Sequence, residues 1–180
     1  MAKIIKIMAL MTTLITILCA GLYICIKSDV VFTLMITFGT TSYHLVMRLL
    51  VGFVVNLFLH NRVNYHRRWF QVSYTEHKIY KKLNAKKWKG KMPTFEPSLF
   101  DTKLHSWDEI AQAMCQAELV HEVIIVLSFV PIFAAIPFGA LWVFIITSVL
   151  AAGFDAMFVI LQRYNRPRII KLIKNYDMTL

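Results

Sequence analysis

Long apolar runs dominate this chain and decide what it can fold into. Residues 4–26 carry Lys6 as their only charge, and at ~1.5 Å per residue that length crosses a ~30 Å hydrocarbon core as one helix. The run exceeds the roughly 7 to 15 residues of a signal-peptide core, so it reads as an uncleaved first helix. After Lys27, Ser28 and Asp29, residues 30–59 are again apolar, interrupted by His44, Arg48 and Asn56. A third stretch opens near Ile110 and continues to Leu161, too long for one crossing, with Pro131, Pro137 and Gly139 near its middle. Two helices joined by a tight turn at 136–139 divide it most simply. The expectation is an all-α integral membrane protein with about four transmembrane helices, near 4–26, 30–59, 110–135 and 140–161. Residues 1–180 then form a single membrane domain.

Hydrophobic residues make up 58% of the chain, against roughly 45 to 50% in ordinary globular proteins. A soluble core cannot hide that surface. The formal charge of +10 is concentrated outside the apolar runs. Eleven of the twenty Lys and Arg lie between His60 and Trp107: Arg62, Arg67, Arg68, Lys78, Lys81, Lys82, Lys86, Lys87, Lys89, Lys91 and Lys103. The tail from Gln162 adds Arg163, Arg166, Arg168, Lys171 and Lys174. The positive-inside rule puts the N-terminus, the basic loop 60–107 and the tail 162–180 on the cytoplasmic side, with Lys27 in the external turn. Charge in such blocks suits anionic lipid headgroups or phosphate-bearing substrates, not nucleic acid. Trp69, Tyr74, Trp88 and Trp107 fit headgroup-level anchors, and Lys78, Tyr80, Lys81 and Lys82 fit an amphipathic surface helix. Cys19, Cys25 and Cys115 form no CxxC pair, so neither a disulfide scaffold nor a zinc site is supported.

Several polar groups interrupt this pattern where chemistry is expected. His44 and Arg48, four apart, share one face of the second helix, where a buried Arg needs a partner. Asp155 on the fourth helix lies at comparable depth. An Arg48–Asp155 pair either fixes helix packing or belongs to a substrate site. Glu118 and His121, three apart, stand side by side on the third helix. A carboxylate beside an imidazole can fix its tautomer while the ring accepts a hydroxyl proton, although such a pair is also common as plain interfacial polarity. Neither an HExxH zinc pattern nor the matching carboxylates of a di-metal bundle is present, so no metal is expected. Gln162, Arg163, Tyr164, Asn165, Arg166, Pro167 and Arg168 follow the fourth apolar run. Three arginines in six residues suit bidentate binding of phosphate or carboxylate; the plainer alternative is a stop-transfer cluster at anionic lipid. The same choice applies to Trp88 and Lys89 in Lys87-Trp88-Lys89.

Four pieces of the chain together resemble the glycosyl-4,4'-diaponeurosporenoate acyltransferases, small bacterial membrane proteins that esterify a sugar hydroxyl of a glycosylated carotenoid. They are Trp69-Phe70, Lys87-Trp88-Lys89, Ala117-Glu118-Leu119-Val120-His121, and Gln162 through Arg168, spanning about residues 66 to 168. The resemblance implies O-acyl transfer at the cytoplasmic leaflet, from acyl-CoA or an acyl carrier protein and without a bound cofactor. The acceptor would be a hydroxyl of a glycosylated carotenoid, another isoprenoid or a glycolipid. His121, oriented by Glu118, would deprotonate it. Arg163, Arg166 and Arg168 would bind donor phosphates or the oxyanion, with Gln162, Tyr164, Asn165, His44, Arg48, Asp155, Trp88 and Lys89 contributing to the substrate site. The HxxxxD pattern of other acyltransferases is absent, since none of the six histidines has Asp five positions later. A non-catalytic lipid-binding or accessory membrane protein that recognises an anionic headgroup is the alternative. Oligomeric state stays open.

Overall fold

The computed structural model of the protein describes residues 2–88 and 92–178, and the described residues are helical or in turns, with no strands. Helices α1 (Ala2–Ile26) and α2 (Asp29–Leu59) form the first hairpin. The connection that follows holds a 3-10 turn at Arg68–Phe70, the short helix α3 (Tyr74–Lys82), and two further 3-10 turns at Ala85–Trp88 and Pro97–Phe100. Helix α4 (Trp107–Leu127) leads through a 3-10 turn, Val130–Ala134, and a single helical turn, α5 (Ala135–Phe138), into the long α6 (Leu141–Asp177). Four helical segments, Ala2–Ile26, Asp29–Leu59, Trp107–Phe138 and Leu141–Asn175, are long and apolar enough to cross a membrane. The chain is a multi-pass membrane protein.

Local chemistry accounts for these elements. Hydroxyls within α1 and α2 bond back to carbonyls one turn earlier, as Thr13 does to Ala9 at 2.7 Å and Thr37 to Thr33 at 2.8 Å, so they present no unmade bond to lipid. The hairpin closes tightly where Gly39 leaves room for the Thr16 methyl, and Thr13 Oγ1 meets Ser42 Oγ across it at 2.6 Å. Helices α3 and α4 both start with a capping box, Ser73 with Glu76 and Ser106 with Glu109. Pro131 ends the regular part of α4, and the chain turns at Gly139 and Ala140, both at positive φ. Large apolar side chains such as Leu10, Ile17, Phe58, Trp142 and Leu150 stand outward and exposed, as a lipid-facing surface requires.

Two boundaries differ from those expected. Regular helix three runs Trp107–Leu127, because the Ser106 cap starts it three residues before the apolar run and Pro131 stops it early. The fourth helix does not stop at Leu161. It continues through the arginines to Asp177, with Pro167 inside it. At ~1.5 Å per residue its 37 residues reach ~56 Å, so about 25 Å stands clear of a ~30 Å hydrocarbon core. That extension packs on the connection: Val63, Tyr65, Phe70, Ala111 and Cys115 form a core closed by Ile169, Ile170 and Ile173. A second core, Met47, Val51 and Ile124, joins α2 to α4.

Candidate active site

The antiparallel pair α4 and α6 carries two ionic clusters at successive depths. The one nearer the connection centres on Glu118, which is fully buried. Its Oε1 accepts from Arg163 Nη1 at 2.6 Å and its Oε2 accepts from Arg166 Nη1. Arg166, also fully buried, donates its other terminal nitrogen to the Phe70 carbonyl and lies over the Phe70 ring at 5.2 Å. Arg163 donates further to the carbonyls of Trp69 at 3.0 Å and Gln71 at 3.3 Å, and to Glu76 Oε1 through Nε at 3.1 Å. Trp69 Nε1 donates to Glu122 Oε2 at 2.9 Å. Two carboxylates and two guanidiniums thus cancel while pinning residues 69–71 against both long helices. Burial pushes the Glu76 carboxyl up, but the Ser73 backbone N–H, the Tyr80 hydroxyl and the Arg163 guanidinium outweigh it and hold the acid below the usual carboxylate range.

The deeper cluster centres on Asp155, almost wholly buried on α6. One carboxylate oxygen, Oδ2, accepts from Arg48 Nη2 of α2, and the other, Oδ1, faces His121 Nδ1 of α4 at 2.8 Å. The His121 ring is stacked on Phe158 at 4.5 Å and within 5° of parallel. With its plane set by Phe158 and Nδ1 set by Asp155, the imidazole directs Nε2 away from the acid, where no described residue bonds it. The side chains of Arg48 and His121 remain 19% and 22% exposed while Asp155 is 1% exposed, so the cluster opens on their side. One turn along α2, Arg48 Nη1 donates to the His44 carbonyl at 3.0 Å. The His44 ring is buried, and neither of its nitrogens has a partner among the described residues. A buried polar atom left without its bond costs about 1 to 3 kcal/mol.

The expected site residues are therefore sorted differently from the order the spacing suggested. His121 is oriented by Asp155, not by Glu118, which bonds Arg163 and Arg166 instead. Arg163 and Arg166 point their donors into the protein, which leaves little of either for a donor phosphate. Arg168 is exposed, but it donates to the Tyr164 hydroxyl at 2.7 Å and lies over that ring at 4.6 Å, with His77 stacked on its other side. Asn165 donates back to the Leu161 carbonyl at 2.9 Å. Gln162 is half-buried on α6, and Trp88 is half-buried at the end of its 3-10 turn. Lys89 lies outside the described residues. Among those residues no group of three His, Cys, Asp or Glu is placed to hold a metal ion. Sequence reasoning overlooked Glu76, whose Ser-x-x-Glu capping pattern was legible, and the carbonyls of residues 69–71, which no residue type reveals.

Fold and site together define a multi-pass helical membrane protein with a His–Asp pair set among three of the helices long and apolar enough to cross a membrane. Its relatives narrow this to a chemistry. The family model of the glycosyl-4,4'-diaponeurosporenoate acyltransferases matches residues 60–175, well over half of the chain, and the protein belongs to that family. It is a membrane acyltransferase. The match covers Glu118, His121, Asp155 and the arginines, and leaves His44 and Arg48 outside. No curated protein and no solved structure matches the chain.

Proposed function

We propose that this acyltransferase moves a fatty acyl group from a thioester, acyl-CoA or an acyl carrier protein, to a hydroxyl of a glycosylated carotenoid, a related isoprenoid or a glycolipid. His121 is the general base and Asp155 its orienting acid. The observation that carries this reading is the 2.8 Å contact of His121 Nδ1 with a buried carboxylate, which leaves Nε2 to meet the acceptor. The acceptor hydroxyl gives its proton to Nε2 as its oxygen bonds to the thioester carbonyl carbon. The tetrahedral intermediate then collapses, the C–S bond breaks, and the thiolate takes the proton from His121. An imidazole with its second nitrogen held by an acid suits both proton transfers.

The reaction belongs at the cytoplasmic leaflet of a bacterial cell membrane, with both termini cytoplasmic. The block of Lys and Arg in residues 60–107 and in the extension of α6 supports that orientation, and the cytoplasm is the side where acyl thioesters are made. Membrane lipid, an acyl donor and a lipid acceptor are the partners, and no resident cofactor is invoked. The test supplies labelled hexadecanoyl-CoA, or the same acyl group on acyl carrier protein, to membranes holding the wild-type chain or His121→Ala, and analyses the lipids by mass spectrometry. A labelled ester that disappears in the variant establishes the role and identifies the acceptor. Ester formation unchanged in His121→Ala removes His121 from the chemistry.

A further inference from the structure

Among the described residues, the buried side-chain atoms without a partner are both nitrogens of His44, Ser148 Oγ and Arg166 Nε, and of these only the His44 ring has no bonded polar atom while lying against the Asp155 cluster. His44 projects from the middle of α2, a turn from Arg48, and its ring is shielded from solvent with both nitrogens unbonded. The charged groups that act on this ring are Arg48 of its own helix and Asp155 of α6, the pair that also holds His121. Arg48 binds the His44 backbone carbonyl and Asp155 at once, so the two α2 residues enter the cluster as one unit. A residue placed here merely for packing would be apolar or would have found a partner; an imidazole buried and unpaired against the Arg48–Asp155 pair is matched to something that arrives with substrate.

We propose that His44 is a second catalytic residue, whose ring N–H donates to the carbonyl oxygen of the acyl thioester. It rests on the acyl-transfer reading for its substrate, and family membership supplies nothing toward it, because the matched stretch begins at residue 60. The carbonyl approaches from the side on which Arg48 and His121 are partly exposed. As the acceptor oxygen attacks and gives its proton to His121 Nε2, the carbonyl electron pair moves onto oxygen and is met by the neutral His44 N–H, with the Arg48 charge close by. Collapse restores the C=O bond, releases the thiolate with the proton from His121, and leaves His44 as it began. The ring donates throughout and changes no charge.

Two measurements on the full-length chain in nanodiscs test this. The first compares binding of two non-transferable probes: the ketone analogue of hexadecanoyl-CoA, with a methylene in place of sulfur, and S-hexadecyl-CoA, which has no carbonyl. Wild-type protein is expected to hold the ketone at least about tenfold more tightly, His44→Phe to lose the preference and His44→Gln to keep part of it. The second follows ester formation at saturating hexadecanoyl-CoA, where His44→Phe is expected to lower the rate about 100- to 1,000-fold and His44→Gln to recover at least about tenfold of that loss. Equal binding of the two probes by wild-type protein overturns the proposal without recourse to any variant. So does a His44→Phe protein that keeps its rate within about threefold, which would mark the empty nitrogens as a site for structural water. Failure of the wild-type protein to make ester while still preferring the ketone would count against acyl transfer and leave the carbonyl site standing.

Discussion

Each of the two ionic clusters centres on a buried carboxylate paired with arginine, and their α6 members lie about two to three turns apart, yet they are opposites in how their bonds are used. Around Glu118 most donors and acceptors are spent: both carboxylate oxygens, both terminal nitrogens of Arg166, and three nitrogens of Arg163 are engaged within the protein, and Arg166 Nε is left without a partner among the described residues. Around Asp155 the carboxylate is spent, but His121 Nε2 and both nitrogens of His44 are not. A closed cluster of charges holds elements together; one with unmade bonds on its open side is ready for a substrate. The difference assigns anchoring to the arginines and chemistry to the histidines, and it can be broken experimentally.

The largest effect is expected at His121. His121→Ala should reduce ester formation about 100- to 10,000-fold, the usual contribution of a general base, while thermal unfolding in detergent barely moves, because the deeper cluster keeps its Arg48–Asp155 pair. Loss of folded protein in parallel with activity would erase the contrast. Glu118→Ala should behave in the reverse way. It leaves the buried Arg166 guanidinium without an acid, while Arg163 keeps Glu76, a change of about 3 to 5 kcal/mol in stability, and should free residues 69–71 to proteolysis, with activity per folded molecule much less affected. A Glu118→Ala protein of normal stability but no activity would return the acid to the catalytic group.

How much of this was legible in the sequence follows from the same contrast. Apolar length alone announced four crossings, since nothing else buries runs of that size. Depth arithmetic brought Arg48 and Asp155 together, because an ionised side chain inside a crossing has few possible partners. Local spacing failed for His121. Residues three apart are neighbours on a helix, but they also differ by ~60° around its axis, enough for Glu118 to meet Arg163 and Arg166 while His121 meets Asp155 and Phe158 farther back along the same α6. The tail failed for a related reason. Pro167 and three arginines read as the end of a helix at the headgroups, whereas Glu118 and the carbonyls of residues 69–71 draw Arg163 and Arg166 inward, and α6 carries on.

An intermediate effect is expected for the pair that joins the first hairpin to the site. A double-mutant cycle of Arg48→Met with Asp155→Asn should give a coupling of about 1 to 3 kcal/mol in unfolding, as for other residues in one bonded network. Coupling near zero would mean that Asp155 relies on His121 alone, and that α2 enters the site only through His44.

The smallest effect is the one at the rim of the closed cluster. Glu76 is partly exposed, so Glu76→Gln should alter stability at neutral pH by less than about 1 kcal/mol. Its sign with pH is nevertheless fixed. The acid is held below its ordinary value of 4.5, so the folded state binds its proton less readily than the unfolded chain does. The contribution of Glu76 is then fully present above about pH 4.5 and is lost as pH falls through the lower folded value. The stabilities of wild type and Glu76→Gln should therefore run parallel from pH 8 to about pH 5 and converge below it. Convergence on raising the pH instead would mean that Arg163 does not hold Glu76 ionised, and that Arg163 is paired in effect with Glu118 of α4 alone.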